Sequence, residues 1–479
     1  MLGIHTVRCA GLALVAISWG AATSAYAAPV GDQVAADGGS EMLVNAGDAI
    51  QLTCVDLTSP NAGKLNAQQT DLRNRCREMV QTILPPASGP GFGYQFETTE
   101  EEFDAIRQFS GEETSSQGRF ATDDTNRQFS AIATRLDAIR AGTRTGLASA
   151  NGLQFGGAAS ADEDADLGVG WFTNVAFGNG GRDGTDNESE YDFDTVSGTL
   201  GLDYAFANGL VIGVAGGYGE SDVDYADDPA AFVNSVSGGG IESDGYTASA
   251  FASWAGASFY ANAIASTGEN DFDLERRAFF TVPSTSPLVA DVVDRTFTAE
   301  TDSEQVAAQG TVGVTFGDSA AGYDVMFDAF VGADYLSVEV DGYTEDEAGT
   351  GGLALTFDDQ DIDSTQSIVG LTLRMTGNTS FAVLQPYAGA EWRHEFENDS
   401  RTIDYRYAFA LTSDANGDGT TAPSFSTPTD EPDEDWAQLT VGLGAQLANS
   451  FFVFLQYDSV VGLEDTIANA FTFGLRGKF

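Results

Sequence analysis

The sequence predicts an all-β membrane protein, a closed antiparallel barrel of twelve strands preceded by a small helical N-terminal region. Three observations predict it. From about Asp166 onward, apolar side chains recur at every second position, segment after segment, as in strands with one apolar face. The connections between these segments alternate between short and long. Beyond the first 27 residues, no stretch reaches the ~20 apolar residues of a membrane-crossing helix. A membrane crossing would therefore be made by strands, and hydrocarbon tolerates strands only when the sheet closes on itself.

Residues 1–27 read as a secretory signal: His5 and Arg8 in the polar start, the apolar run CAGLALVAISWGAA, and Ala25-Tyr26-Ala27 as the small-x-small cleavage site. Export fits the cysteines. Cys9 leaves with the signal, and the remaining pair, Cys54 and Cys76, reads as one disulfide in an oxidising compartment. Residues 28–122 form a short N-terminal region. Within it Leu72, Cys76, Met79 and Ile83 have helical spacing, ended by Pro85-Pro86, and PPASGPGFG is a linker. TTEEEFDAIRQF predicts a second helix capped by Thr98 or Thr99. A third follows in residues 123–166, where Phe129, Ile132, Leu136 and Ile139 form an apolar stripe bordered by Arg127, Arg135, Arg140 and Arg144. Its span of about 30 Å would match a bilayer core. GLASANGLQFGGAAS then connects it to the barrel.

Residues 167–479 hold the strands, at roughly 167–178, 192–206, 209–223, 243–255, 257–273, 300–317, 322–340, 352–376, 380–397, 434–447, 450–462 and 467–479. The eighth is long and open to interruption around DDQDIDST. The faces separate cleanly: Val325, Phe327, Val331 and Tyr335 alternate with Asp324, Asp328 and Asp334, and in AFTFGLRGKF the apolar Phe471, Phe473, Leu475 and Phe479 alternate with Arg476 and Lys478. Connections after strands 2, 4, 6, 8 and 10 are short, as in ANG and GNT. Those after strands 1, 3, 5 and 9 are long, acidic and glycine-rich. Those after strands 7 and 11 are intermediate. An even strand count with loop lengths divided by end is the pattern of an outer-membrane barrel. A propeller would repeat about every 40 residues, and no such repeat is present.

Several stretches resemble the translocator domains of autotransporters, the type V secretion family. LQPYAGAEWRHEFENDSRTI (384–403) is similar to their P-Y-x-x-x-x-W-x-H-E-F-x-N-D signature. VGADYLSVEVDGYTEDEAG with Tyr343-Thr344-Glu345, and DFDLERRAF (271–279) with its aromatic-Asp-x-x-Arg pattern, resemble further blocks in the right order. Those domains also end on an aromatic residue, as Phe479 does. The resemblance implies a twelve-stranded barrel with a helix threaded through its lumen, placing Arg127, Arg135 and Arg140 opposite lumen-facing acids such as Asp324, Asp328, Glu391 and Glu395. It implies an outer-membrane protein that translocates or displays its own N-terminal segment, recognised through Phe479 by barrel-assembly machinery and escorted by periplasmic chaperones. One group cuts its passenger at an Asn-Asn pair; here only Asn126 is present, so the segment is expected to stay attached. The alternative is a plain barrel, an anchor or narrow pore, with the N-terminal region kept in the periplasm.

Acids outnumber bases 72 to 21 and the net charge is −51, which excludes a nucleic-acid partner. The expected partner is outer-membrane lipid around a monomeric barrel. No cofactor and no enzymatic activity are expected. His394, the sole histidine after the signal, shares strand parity with Trp392 and Phe396 and is placed near an aromatic girdle. Gly317-Asp318-Ser319 resembles the start of the GDS block of lipolytic esterases, without a matching Asp-x-x-His. Asp414, Asn416 and Asp418 begin a calcium-loop pattern whose twelfth place holds Phe425 instead of glutamate, leaving weak Ca²⁺ binding as one reading. Glu391, Arg393 and Glu395 suit a luminal salt-bridge network, a pore lining or a protease-like acid site, the polar lining of a barrel being the commonest of these.

Overall fold

Strand alternation with polar residues on one face and apolar ones on the other has one stable outcome in lipid, a sheet without edges. The computed structural model describes residues 29–60, 62–84, 98–111, 117–140, 168–226, 238–283, 290–320, 323–379, 382–411, 424–447 and 451–478. The signal at 1–27, the proline linker, the connector after the third predicted helix, Asp414, Asn416, Asp418 and Phe479 lie outside them. Twelve strands form the barrel: β1 (Gly168–Arg182), β2 (Tyr191–Ala205), β3 (Leu210–Tyr225), β4 (Gly239–Ala255), β5 (Phe259–Pro283), β6 (Ala290–Ala320), β7 (Tyr323–Val340), β10 (Gln360–Asn378), β11 (Val383–Glu395), β14 (Asp435–Gln446), β15 (Phe452–Val461) and β16 (Thr466–Lys478). Four short strands sit in loops: β8 (Asp346–Glu347), β9 (Leu355–Phe357), β12 (Thr402–Tyr407) and β13 (Phe425–Pro428). Every neighbouring pair in the barrel is antiparallel, and β1 pairs with β16 from Gly170↔Lys478 to Arg182↔Thr466, which closes it.

The outward rows give the membrane its belt. Along β2 they run Tyr204, Leu202, Leu200, Gly198, Val196 and then Asp194; Leu200 is 62% exposed. Phe471 and Phe473 of β16 and Leu371 and Leu373 of β10 are likewise exposed on the outside. Above the belt the outward side chains of β2–β7 turn acidic, and tyrosines mark the boundary: the Tyr246 hydroxyl donates to Glu269 at 2.5 Å and that of Tyr218 to Glu220 at 3.1 Å. Aromatic residues at interfacial height are the girdle of an outer-membrane barrel.

Strands 5 and 6 depart from the expected lengths. β5 has 25 residues and β6 has 31, paired to Pro283↔Ala290. At ~3.3 Å per residue such strands far exceed a ~30 Å hydrocarbon core. The connection after the fifth strand, expected as a long loop, is thus built as a ribbon standing out from the long-loop end. The expected interruption of the eighth strand is real: β9 stops at Phe357 and β10 starts at Gln360.

Among the described residues five helices precede the barrel: α1 (Pro29–Ala36), α2 (Glu41–Thr58), α3 (Ala67–Ile83), α4 (Thr99–Ser110) and α5 (Gln117–Arg140). The first two were not anticipated. Ser40 caps α2, accepting from the Leu43 N–H, and Asn66 with Gln69 forms a capping box on α3. Thr98 caps α4 as expected, and Gly111 ends it with a left-handed φ of 70°. Cys54 and Cys76 are joined in the expected disulfide, which ties α2 to α3. The third predicted helix begins earlier than expected, at Gln117, and the described helix ends at Arg140, so Arg144 lies outside it.

Candidate functional site

The lumen is occupied by α5, held by its apolar stripe. Phe129, Ile132 and Leu136 are buried in one continuous core with Phe172, Phe251 and Ile264 of the wall. The helix packs mainly against β2–β7. Near its N-terminal half the Gln128 amide donates to Ser249 Oγ at 2.7 Å, and Arg127 donates to Ser221 Oγ at 3.2 Å. Near its C-terminal half Arg135 forms a buried ion pair with Asp203 at 2.6 Å, and Arg140 lies 3.7 Å over the Tyr260 ring. Asp203 and Tyr260 belong to the short-turn ends of β2 and β5. The helix therefore runs from the long-loop end to the short-turn end, where β1 begins.

The expected pairing of the helix arginines with Asp328, Glu391 and Glu395 is corrected by these contacts. Asp328 is buried against barrel groups, accepting from Thr315 Oγ1 at 2.5 Å with Arg374 at 4.0 Å. Glu391 pairs with Arg393 at 3.3 Å, and Arg393 also reaches Asp334 at 2.9 Å, so the predicted Glu391–Arg393 network is luminal but internal to the wall. Glu395 is buried and accepts from Ser364 Oγ at 2.6 Å and the Thr365 N–H at 2.9 Å. Asp324 shares the luminal parity of Asp328, at the short-turn end of β7. The reason for the difference is rotation: the apolar stripe turns Arg135 toward β2, while toward β10 the helix presents Asp137, 3.7 Å from Arg374, and the acids of β11 line the half of the lumen the helix leaves open. That half contains a cavity of about 1300 Å³, lined among others by Arg374, Arg393, Arg476, Tyr387 and Glu391.

His394 sits on the outside as expected, stacked on Trp392 at 5.8 Å and edge-on to Phe396 at 4.7 Å, with Asp435 at 3.1 Å. It takes no part in the lumen. The Gly317-Asp318-Ser319 stretch lies at the short-turn end of β6.

At the long-loop end the helices α1–α4 form a cap on the loop strands. β9, β12 and β13 make a small sheet whose aromatic rings stack: Tyr343 on Phe357 at 4.7 Å, Phe357 on Tyr405 at 4.8 Å and Tyr405 on Phe425 at 4.9 Å. Helix α2 lies along β13, and Asn45 donates to the Ser426 carbonyl at 3.1 Å. Helix α4 brings Phe109 to 5.7 Å from Tyr407. Asp71 of α3 accepts from the Gly352 N–H at 3.1 Å and meets Arg295 at 3.5 Å.

One ion pair locks this junction. Arg276 of the β5 ribbon makes a bidentate contact to Glu345, 2.7 Å on each oxygen, with both side chains almost wholly buried. The guanidinium lies 3.9 Å over Phe297 and also donates to the Gln108 carbonyl at 3.0 Å; the Gln108 side chain in turn accepts from the Phe279 N–H at 2.8 Å. The two residues stand 69 positions apart in DFDLERRAF and VGADYLSVEVDGYTEDEAG, and neither stretch predicts the contact. Within the cap, Glu102 is raised to about 7, first by burial and then by repulsion from Asp37.

A closed barrel with an apolar outer belt, filled by the helix that precedes its first strand, is a transmembrane β-barrel of the Gram-negative outer membrane. The family model described as the autotransporter beta-domain matches residues 171–458, and the chain belongs to that family. Among curated relatives, an uncharacterized protein of the trpE-trpG intergenic region of Pseudomonas putida is 28% identical over 43% of this chain and 30% of its own length. Outer membrane protein A of Rickettsia conorii is 24% identical over 69% of this chain. The chain spans only 14% of that protein's length. Among solved structures, the translocator domain of the autotransporter NalP from Neisseria meningitidis superposes with a TM-score of 0.45 at 15% identity, covering 74% of this chain and 98% of that one. The transport unit of AIDA-I from Escherichia coli gives 0.46 at 13% identity, covering 73% of this chain and 97% of that one.

Proposed function

We propose that the barrel delivers its own N-terminal helical region to the cell surface and holds it there as a cap. The observation that carries this reading is the path of the chain. Helices α1–α4 rest on the long-loop end, α5 descends through the lumen, and β1 starts at the short-turn end. In outer-membrane barrels long loops face outside and short turns face the periplasm. The segment ahead of the barrel thus lies on the outer side and remains tied to its anchor. The work is done by strand closure and side-chain packing, and the reading assigns no catalytic step. Assembly would proceed through the usual barrel machinery, with β16 and Phe479 as its recognition end.

An epitope inserted after Gly38, in the exposed turn between α1 and α2, tests the placement. Antibody labelling on intact cells is expected. Labelling only after the outer membrane is permeabilised would instead support an anchor whose N-terminal region stays in the periplasm.

A further inference from the structure

We propose that the floor of the luminal cavity, on the side of the barrel that α5 leaves open, binds a small oxyanion, a carboxylate or a phosphate. The floor is built by Arg374 on β10, Arg476 on β16 and Tyr387 on β11. Arg476 is 4% exposed, and among the described residues no carboxylate lies within ion-pair distance of it. Its guanidinium is held instead by two rings, 4.4 Å from the centre of Phe454 and 5.0 Å from that of Phe452. Stacking of this kind occupies the faces of a guanidinium and leaves its N–H fork free at the edge. The fork borders the cavity. Arg374 is also buried, and its Nη1 has no hydrogen-bond acceptor; its nearest acids are Asp137 at 3.7 Å and Asp328 at 4.0 Å.

Charge counting points the same way. Of the cations at the floor, Arg140 and Arg374 share Asp137, and Arg374 also has Asp328 at 4.0 Å, which leaves Arg476 as the guanidinium without a carboxylate at ion-pair distance among the described residues. Higher in the cavity the balance reverses, with Glu391, Asp334 and Glu395 around Arg393. A buried guanidinium without a counter-charge is costly, and a bidentate oxyanion is the group whose geometry satisfies it. Space is ample at about 1300 Å³. The Tyr387 hydroxyl donates to Gln456 at 2.8 Å, so it shapes the wall beside Arg374 and leaves the donors to the two arginines.

Calorimetric titration of the refolded full chain in detergent, with inorganic phosphate and separately with acetate, tests the site. Saturable one-site binding of either anion is expected, weakened at least tenfold in both Arg476→Gln and Arg374→Gln, with the heat-dependent gel shift of the barrel retained. Phosphate alone, acetate alone or both would define which oxyanion the floor prefers. Two variants guard against a failure of one to fold. Binding of neither anion by the wild-type chain, or equal affinity in a folded variant, would overturn the proposal.

Discussion

Replacing Glu345 by alanine should detach the cap while leaving the barrel closed. The wild-type pair places both carboxylate oxygens 2.7 Å from Arg276 nitrogens, and Glu345 also accepts from the Leu355 N–H at 2.8 Å. With Arg276 3% exposed, truncation leaves its charge buried against neutral acceptors such as the Gln108 carbonyl at 3.0 Å and the Leu353 carbonyl at 3.5 Å. Removing one partner of a buried pair costs about 3–5 kcal/mol, and the orphaned N–H about 1 kcal/mol more. Spread over a local opening, about 3 kcal/mol already raises the open fraction by more than about a hundredfold. Hydrogen exchange of α4 amides and protease cleavage of the helical region read this directly, while the gel heat-shift reports on the barrel. The double variant Arg276→Met with Glu345→Leu should regain most of the protection, because an apolar pair carries no stranded charge. Wild-type exchange rates in α4 of the single variant would refute the assignment of this pair as the lock.

Three further outcomes are expected. Because burial and Asp37 hold the Glu102 pKa near 7, well above its unfolded value, the folded cap keeps a proton that the unfolded chain has lost between about pH 4.5 and 7. Cap protection should therefore fall as pH rises through that window, and Glu102→Gln should flatten the profile measured by exchange at pH 5 and pH 8. Cys76→Ser opens the crosslink across a sequence separation of 22 and should weaken the helical region by about 3 kcal/mol on a chain-entropy basis, seen as earlier proteolysis with an unchanged barrel gel shift. Leu371→Arg sets a charge on the lipid belt and should cost about 2–4 kcal/mol of barrel stability, lowering the folded fraction in a urea titration in lipid; its luminal neighbour Thr372→Arg should cost less.

The barrel was legible because period two leaves a direct trace: Leu200, Leu202 and Tyr204 face lipid, and any slip in register would turn them inward. Helix α5 was legible from Phe129, Ile132 and Leu136 at helical spacing. The partners of its arginines were not, since Arg135 meets Asp203, 68 positions away, and the rotation that brings them together is fixed by packing. Helix α2 has a signal of its own in the sequence: Met42, Leu43, Ala46, Ile50 and Leu57 recur on one face behind the cap Ser40. Arg276 and Glu345 each stand in a block that resembles the family's, but nothing local to either block says that the two meet. Their pairing joins a ribbon to a loop through closure of the barrel, which a linear pattern does not encode.

The cap is small, and that bears on how it can exist. A helical region of this size buries too little surface to be stable by much on its own, and such domains usually depend on disulfides or on a partner surface. This one has both. The disulfide ties α2 to α3, and the remaining apolar surface is completed by groups that belong to the barrel's loops. Phe109 of α4 packs on Tyr407, and α2 lies along β13, whose Phe425 closes the aromatic stack. Those loop strands are assembled only when β7, β10, β11 and β14 have found their partners, because β9, β12 and β13 lie in the connections between them. The core of the cap is thus finished by barrel closure, and the helical region gains its final stability at the place where it docks.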